Sequence, residues 1–207
     1  MKTATLPCDF AAPAEASGKL IVVLHGRGDS SAGFHWMPQA LGLPGVSYLL
    51  ANAPDPWFGG RSWYGMPPDH LLGVRRSQAL LDALFGEVFD QGFRPEDTAL
   101  FGFSQGCLMT LEWGGRTDWP LAGFCGVSGY VGDPMTLQDE LSDVACSRPW
   151  LVTHGRQDEV LPFERTEAEI GLLQMAGLPV DFRAYDKTHT IDADLPDIRE
   201  FLAGVLG

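Results

Sequence analysis

A chain of 207 residues, 45% of them apolar, carries a net charge of −13 and an isoelectric point near 4.6. That length suits one domain or at most two, and no linker tract or repeat divides it, so a single domain over 1–207 is expected. The acidity, with no basic cluster beyond Arg75-Arg76, argues against nucleic acid, anionic membranes and polyanionic substrates.

The start, Met1 to Asp9, has no apolar signal region, and no stretch is long enough to span a bilayer, so no integral membrane association is expected. Leu20–Leu24 is continuously apolar and β-branched, the pattern of a parallel strand covered on both faces. Val46–Leu50 reads as a second strand. The aromatic-rich stretch from Trp57 to Pro68 shows neither helical nor strand period and is expected to be a loop. Leu80, Leu81, Leu84, Phe85, Val88 and Phe89 then recur at helical spacing. Thr98–Phe103, Leu121–Val127, Trp150–Thr153 and Val180–Tyr185 complete the strands. Between the last two, a helix opens near Phe163 and stops at Gly177 and Pro179. A final helix places Leu195, Ile198, Phe201, Leu202 and Val205 on one face. Strands alternating with helices predict an α/β fold with a mostly parallel sheet and helices on both faces. In such sheets ligands bind at the carboxyl ends of the strands.

The residues just past those strand ends are the ones acyl transfer needs. Thr98–Phe103 runs into Gly102-Phe103-Ser104-Gln105-Gly106, the strand–turn–helix pattern of a nucleophile elbow. With 25 glycines in the chain, a G-x-S-x-G arises by chance in roughly one such sequence in seven, so context must decide. The serine hydroxyl needs a base. Of the two histidines after it, His154 ends a strand and reads as a packed structural residue, whereas His189 lies on the last strand-to-helix loop and is the better base. Asp158 follows an apolar strand on a loop shaped by Gly155 and Pro162, and is the preferred acid to hold the imidazole. The oxyanion hole is expected from the backbone N–H groups of Gln105 and, in the loop His25-Gly26-Arg27-Gly28-Asp29, of Arg27, whose side chain is incidental to that role. In the aromatic stretch, Trp57, Trp63, Tyr64 and Met66 are candidate substrate contacts. Trp57 and Trp63 are equally suited to cover the end of the sheet, and the same apolar surface would suit a homodimer contact. The four cysteines (Cys8, Cys107, Cys125 and Cys146) have no metal-ligand spacing and read as free thiols of a cytoplasmic protein.

Four blocks in order, His25-Gly26-Arg27-Gly28-Asp29, Gly102 to Gly106, Ser128-Gly129-Tyr130 and His154-Gly155 followed by Asp158-Glu159-Val160-Leu161-Pro162, resemble the carboxylesterase/phospholipase family of α/β-hydrolases, which includes the acyl-protein thioesterases. The resemblance runs from about Leu20 to the C-terminus. It implies an α/β-hydrolase fold, the triad Ser104, Asp158 and His189, oxyanion amides at Arg27 and Gln105, and neither metal nor organic cofactor. The expected activity is hydrolysis of a small-molecule carboxylic ester through an acyl-serine, with thioesters or lysophospholipids as alternative substrates. Two departures stand out. Thr188 precedes His189 where the family usually has Gly, and loops typical of protein-deacylating members are not evident. Only about twenty residues separate Ser128-Gly129 from Trp150, which leaves no room for a cap domain and predicts an open, shallow site.

Overall fold

A computed structural model describes every residue from Met1 to Gly207. The apolar runs become strands because each can bury both faces. Nine strands form: β1 (Cys8–Ala11), β2 (Leu20–Leu24), β3 (Ser47–Ala51), β4 (Asp55–Trp57), β5 (Gly60–Ser62), β6 (Thr98–Phe103), β7 (Gly123–Val127), β8 (Trp150–Gly155) and β9 (Val180–Tyr185). Seven of them make one sheet in the order β1-β3-β2-β6-β7-β8-β9. Only β1 is antiparallel, pairing with β3; every other neighbour is parallel. This is the mostly parallel α/β-hydrolase sheet that the sequence predicts.

Helices cover both faces: α1 (Met37–Leu41), α2 (His70–Asp90), α3 (Gln105–Gly114), α4 (Pro134–Asp139), α5 (Asp143–Ser147), α6 (Phe163–Met175) and α7 (Leu195–Leu206). Alternate residues of a strand point to opposite sides, so the sheet feeds two cores. Val22, Leu24, Leu100, Phe124 and Val152 pack with Leu81, Leu84 and Phe85 of α2, Leu108 and Leu111 of α3 and Ile170 of α6. Ile21, Val23, Phe101, Cys125 and Leu151 pack with Met37 of α1 and Ile198 and Leu202 of α7. Each such side chain contributes about 1.5–3 kcal/mol on burial. The β7–β8 connection holds only the short helices α4 and α5, and no cap rises over the sheet.

β1, the β4–β5 hairpin and the short helices α1, α4 and α5 escape the sequence pattern. β1 is short and half-buried, so its period is faint. The segment expected to be a loop begins with a hairpin: β4 and β5 pair antiparallel, with Trp57 opposite Gly60. Its two turn residues, Phe58 and Gly59, both have positive φ, the backbone of a tight twisted hairpin turn. Asp-Pro-Trp and Gly-Arg-Ser carry no apolar alternation, so that hairpin is set by docking. Gly28 N–H donates to the Arg61 carbonyl and Arg61 N–H to the Asp29 carbonyl, both at 2.8 Å, tying it to the loop after β2.

Candidate active site

Ser104 stands between β6 and α3 with φ 54° and ψ −113°, a conformation strained for a residue with a side chain. Crowding around the turn explains its glycines. A Cβ on Gly102 would strike the Gly106 carbonyl and Thr110, and one on Gly106 would strike the Leu24 carbonyl of β2. The strain is held by a bond from Ser104 N–H to the Val127 carbonyl at 2.9 Å and by the start of α3 behind it.

Three side chains from three strand ends meet here. His189 Nε2 lies 2.9 Å from Ser104 Oγ, and His189 Nδ1 lies 2.7 Å from Asp158 Oδ2. The other carboxylate oxygen, Oδ1, accepts from the N–H groups of Val160 and Leu161 at 2.9 and 2.8 Å. The Asp158 side chain is fully buried. Burial works to raise its carboxyl, but the Leu161 N–H and the His189 ring overcome it and hold Asp158 below the usual carboxylate range. An ionised Asp158 bound to Nδ1 fixes the imidazole tautomer and leaves Nε2 as the acceptor facing the serine. The Phe103 ring, 5.1 Å from the imidazole centroid, packs against it.

His154 is placed behind this relay. Its Nε2 donates to the Leu161 carbonyl at 2.9 Å, its side chain is fully buried, and burial lowers its pKa, so it stays neutral and away from the cleft. His25 is likewise buried and pushed down. Its ring contacts the Gly26 carbonyl through Nδ1 at 2.6 Å, while Nε2 accepts from Ala53 N–H at 3.1 Å. The backbone N–H groups of Arg27 and Gln105 meet no acceptor within the protein. Gln105 is the first residue of α3, so its N–H also lies at the positive end of the helix dipole.

A buried ion pair anchors the histidine loop. Lys187 Nζ lies 2.5 Å from Asp194 Oδ2, with both side chains at 1% exposure or less. The same ammonium donates to the Thr190 carbonyl at 2.6 Å, so its bonds bracket His189 from both sides. Thr153 of β8 also donates to Asp194 Oδ2, at 2.5 Å. The bond joins that loop to the sheet. Nothing in the spacing of Lys187 and Asp194 foretold this pairing, because charged residues in a loop usually point to water.

The catalytic-looking cluster opens into a cavity of about 310 Å³ lined by Arg27, Tyr64, Ser104, Gln105, Tyr130, Val160, Leu161 and His189. Of the four expected substrate contacts only Tyr64 lines it. Trp63 is a correction: it is fully buried, its indole N–H donates to the His25 carbonyl at 2.9 Å, and it has no surface to offer a substrate. Trp57 and Met66 are not among the cavity's lining residues; both face the guanidinium of Arg27, which is. Trp57 lies 5.1 Å beneath it, and the Met66 sulfur is 2.7 Å from Nη1. Tyr130, Val160 and Leu161 were not foreseen as lining residues, though Tyr130 follows the Ser128-Gly129 turn just past β7, where strand-end reasoning would find it. Nor was the Gln105 side chain. Its Oε1 accepts from Trp63 N–H at 2.9 Å and from Ser62 Oγ at 3.2 Å, and its Nε2 donates to the Tyr64 carbonyl at 2.9 Å. No group of three His, Cys, Asp or Glu side chains is placed to hold a metal ion.

Comparison with known proteins gives the family and the fold. A model of the phospholipase/carboxylesterase family matches residues 9–206. An acyl-protein thioesterase 1 from Eremothecium gossypii is 30% identical over 182 residues, covering 80% of this chain and 77% of the relative. Among solved structures, esterase PE8 superposes with a TM-score of 0.84 at 29% identity, covering 97% of this chain and 98% of its own. SOBER1 of Arabidopsis thaliana gives 0.83 at 26% identity, covering 91% of this chain and 99% of its own.

Proposed function

Since the chain belongs to the phospholipase/carboxylesterase family, hydrolases of the esterase and thioesterase type, we propose that it cleaves small carboxylic esters through an acyl-Ser104 intermediate. One observation carries this reading: the unbroken hydrogen-bonded chain from Ser104 Oγ through His189 to Asp158. His189 Nε2 takes the hydroxyl proton as Oγ attacks the ester carbonyl, and buried Asp158 stabilises the imidazolium. The carbonyl oxygen becomes an oxyanion that accepts from the Gln105 and Arg27 backbone N–H groups; losing one such donor costs about 10²–10³ in turnover. The oxyanion collapses, His189 returns its proton to the leaving alcohol, and the acyl group remains on Ser104. Water, deprotonated by His189, then releases the carboxylic acid and restores the serine. We read residues 1–207 as one catalytic domain, and its four free thiols suit a reducing cytoplasm.

The open cavity, without a cap, favours acyl groups of modest length over long chains. A thioesterase reading draws on the names of the fungal relatives. The test is a panel of esters and matched thioesters from acetyl to palmitoyl, assayed with wild type and Ser104→Ala. Turnover should fall about 10⁴-fold or more in the variant. Retained ester hydrolysis by a folded Ser104→Ala protein would end this assignment, and a uniform preference for thioesters would move it to the second reading.

A further inference from the structure

The cavity beside Ser104 is charged against the grain of the molecule. The protein as a whole is strongly acidic, at −13. Yet the cavity lining includes one cation, Arg27, and no carboxylate. Asp158 stands behind His189 with its side chain fully buried and its oxygens occupied.

Arg27 is held in place but poorly satisfied. Its guanidinium is stacked between the Trp57 and Tyr64 rings, 5.1 and 5.6 Å from their centroids. Nη2 donates to the Gly65 carbonyl at 3.2 Å, and Nη1 to the Met66 thioether, a weak acceptor. Nε is shut from solvent with no partner, and no Asp or Glu lies within ion-pair distance. A guanidinium has five N–H donors and ordinarily recruits carboxylate or phosphate oxygens to fill them. Here the rings fix its orientation and leave its charge unneutralised at the cavity wall. Nearby, the Tyr64 hydroxyl donates to Tyr130 at 3.2 Å, which frees the Tyr130 proton for another acceptor in the same space. Burial keeps the Tyr64 phenol well above its usual pKa, so it remains a neutral donor.

We propose that Arg27, with Tyr130, forms an anion subsite, and that the preferred substrate is an ester bearing a second, ionised carboxylate on its acyl or alcohol part. This rests on the esterase reading above and narrows it. Long-range repulsion from the acidic surface would discourage such a substrate. The local cation offsets it only where the charge lands within hydrogen-bond reach, which makes the site selective for placement as well as for sign.

The experiment compares kcat/KM for 4-nitrophenyl hydrogen adipate and hydrogen suberate with that for their methyl-capped, neutral counterparts. A second arm sets 3-acetoxybenzoate against the acetyl ester of 3-methylphenol, to separate a charge on the acyl side from one on the alcohol side. In at least one arm the wild type should favour the anion. Arg27→Gln should lower that anion-to-neutral ratio about tenfold, the worth of one charge-assisted hydrogen bond. Arg27→Lys, which keeps the charge but not the fork, should retain part of it, and Tyr130→Phe should lower it by a smaller factor. If Arg27→Gln does not fold, the last two variants carry the test. Neutral esters hydrolysed well, with a ratio that Arg27→Gln leaves unchanged, overturn the subsite while the esterase reading stands. No hydrolysis of any ester by wild type overturns the esterase reading instead.

Discussion

At Gln105 the backbone and the side chain serve separate ends. The amide nitrogen is the proposed oxyanion donor, while the carboxamide fastens Ser62, Trp63 and Tyr64 to the elbow. Truncation to Ala keeps the first and removes the second. It leaves the Trp63 N–H without that partner, at a cost of about 1–3 kcal/mol for a buried unpaired group, and the Tyr64 carbonyl with Ser62 Oγ alone. Gln105→Ala should therefore lower the urea midpoint and raise KM more than it lowers kcat, because Tyr64 is the residue that loses its support. An unchanged KM in steady-state assays would show that the segment stands without this clamp. The same logic explains Trp63. An aromatic residue in a stretch without period can face a cleft or fill the gap beneath it, and composition cannot tell which. Here the His25 carbonyl, at 2.9 Å, claims the indole N–H and draws the ring inside.

At the scale of the element, the loop from Lys187 to Asp194 carries the histidine without regular structure of its own. Its shape comes from a buried charge pair. Removing one partner of such a pair typically costs about 3–5 kcal/mol, whereas replacing both with apolar residues of similar volume is often neutral. Lys187→Met alone should therefore destabilise the protein sharply in urea, and Lys187→Met with Asp194→Leu should recover much of the loss. If the double variant is no more stable than the single one, the hydrogen bonds to Thr153 and Thr190 matter more than the charges do. The strands and long helices were readable from their apolar periods because each buries a continuous face. β1, the β4–β5 hairpin and this loop were not: the first two are held by residues far away in the chain, and the loop by a local charge pair that forms only where Thr153 of β8 meets Asp194.

For the whole molecule, buried neutral histidines give stability a pH dependence. Burial lowers the pKa of His25 and His154 from an ordinary value of 6.5. The unfolded chain then takes up protons near pH 6.5 while the native protein resists them. Stability from this source is present above about 6.5 and drains away as pH falls through the lowered native values. Relief of the −13 net charge acts in the opposite direction over the same range. A comparison of variants separates the two, because the charge background is nearly common to both. His25→Gln should lose less stability than wild type between about pH 6.5 and pH 5 in urea titrations. Parallel curves would remove His25 from the account. Below that window a further loss is expected as pH falls toward the lowered value of Asp158, whose buried carboxylate is held ionised by the Leu161 N–H and His189.

Periodicity and short motifs were enough to read an α/β sheet, the turn that presents Ser104, and the strand ends where a base and an acid would lie. These are local matters: alternation along a strand, and the few side chains a tight turn admits. Which cavity wall each aromatic joins, which carboxylate meets which ammonium, and where the Arg27 charge comes to rest are settled by folding. Those outcomes depend on residues tens of positions apart competing for the same buried space and hydrogen-bond partners; even Lys187 and Asp194, seven positions apart, are buried together only where Thr153 of β8 meets the carboxylate.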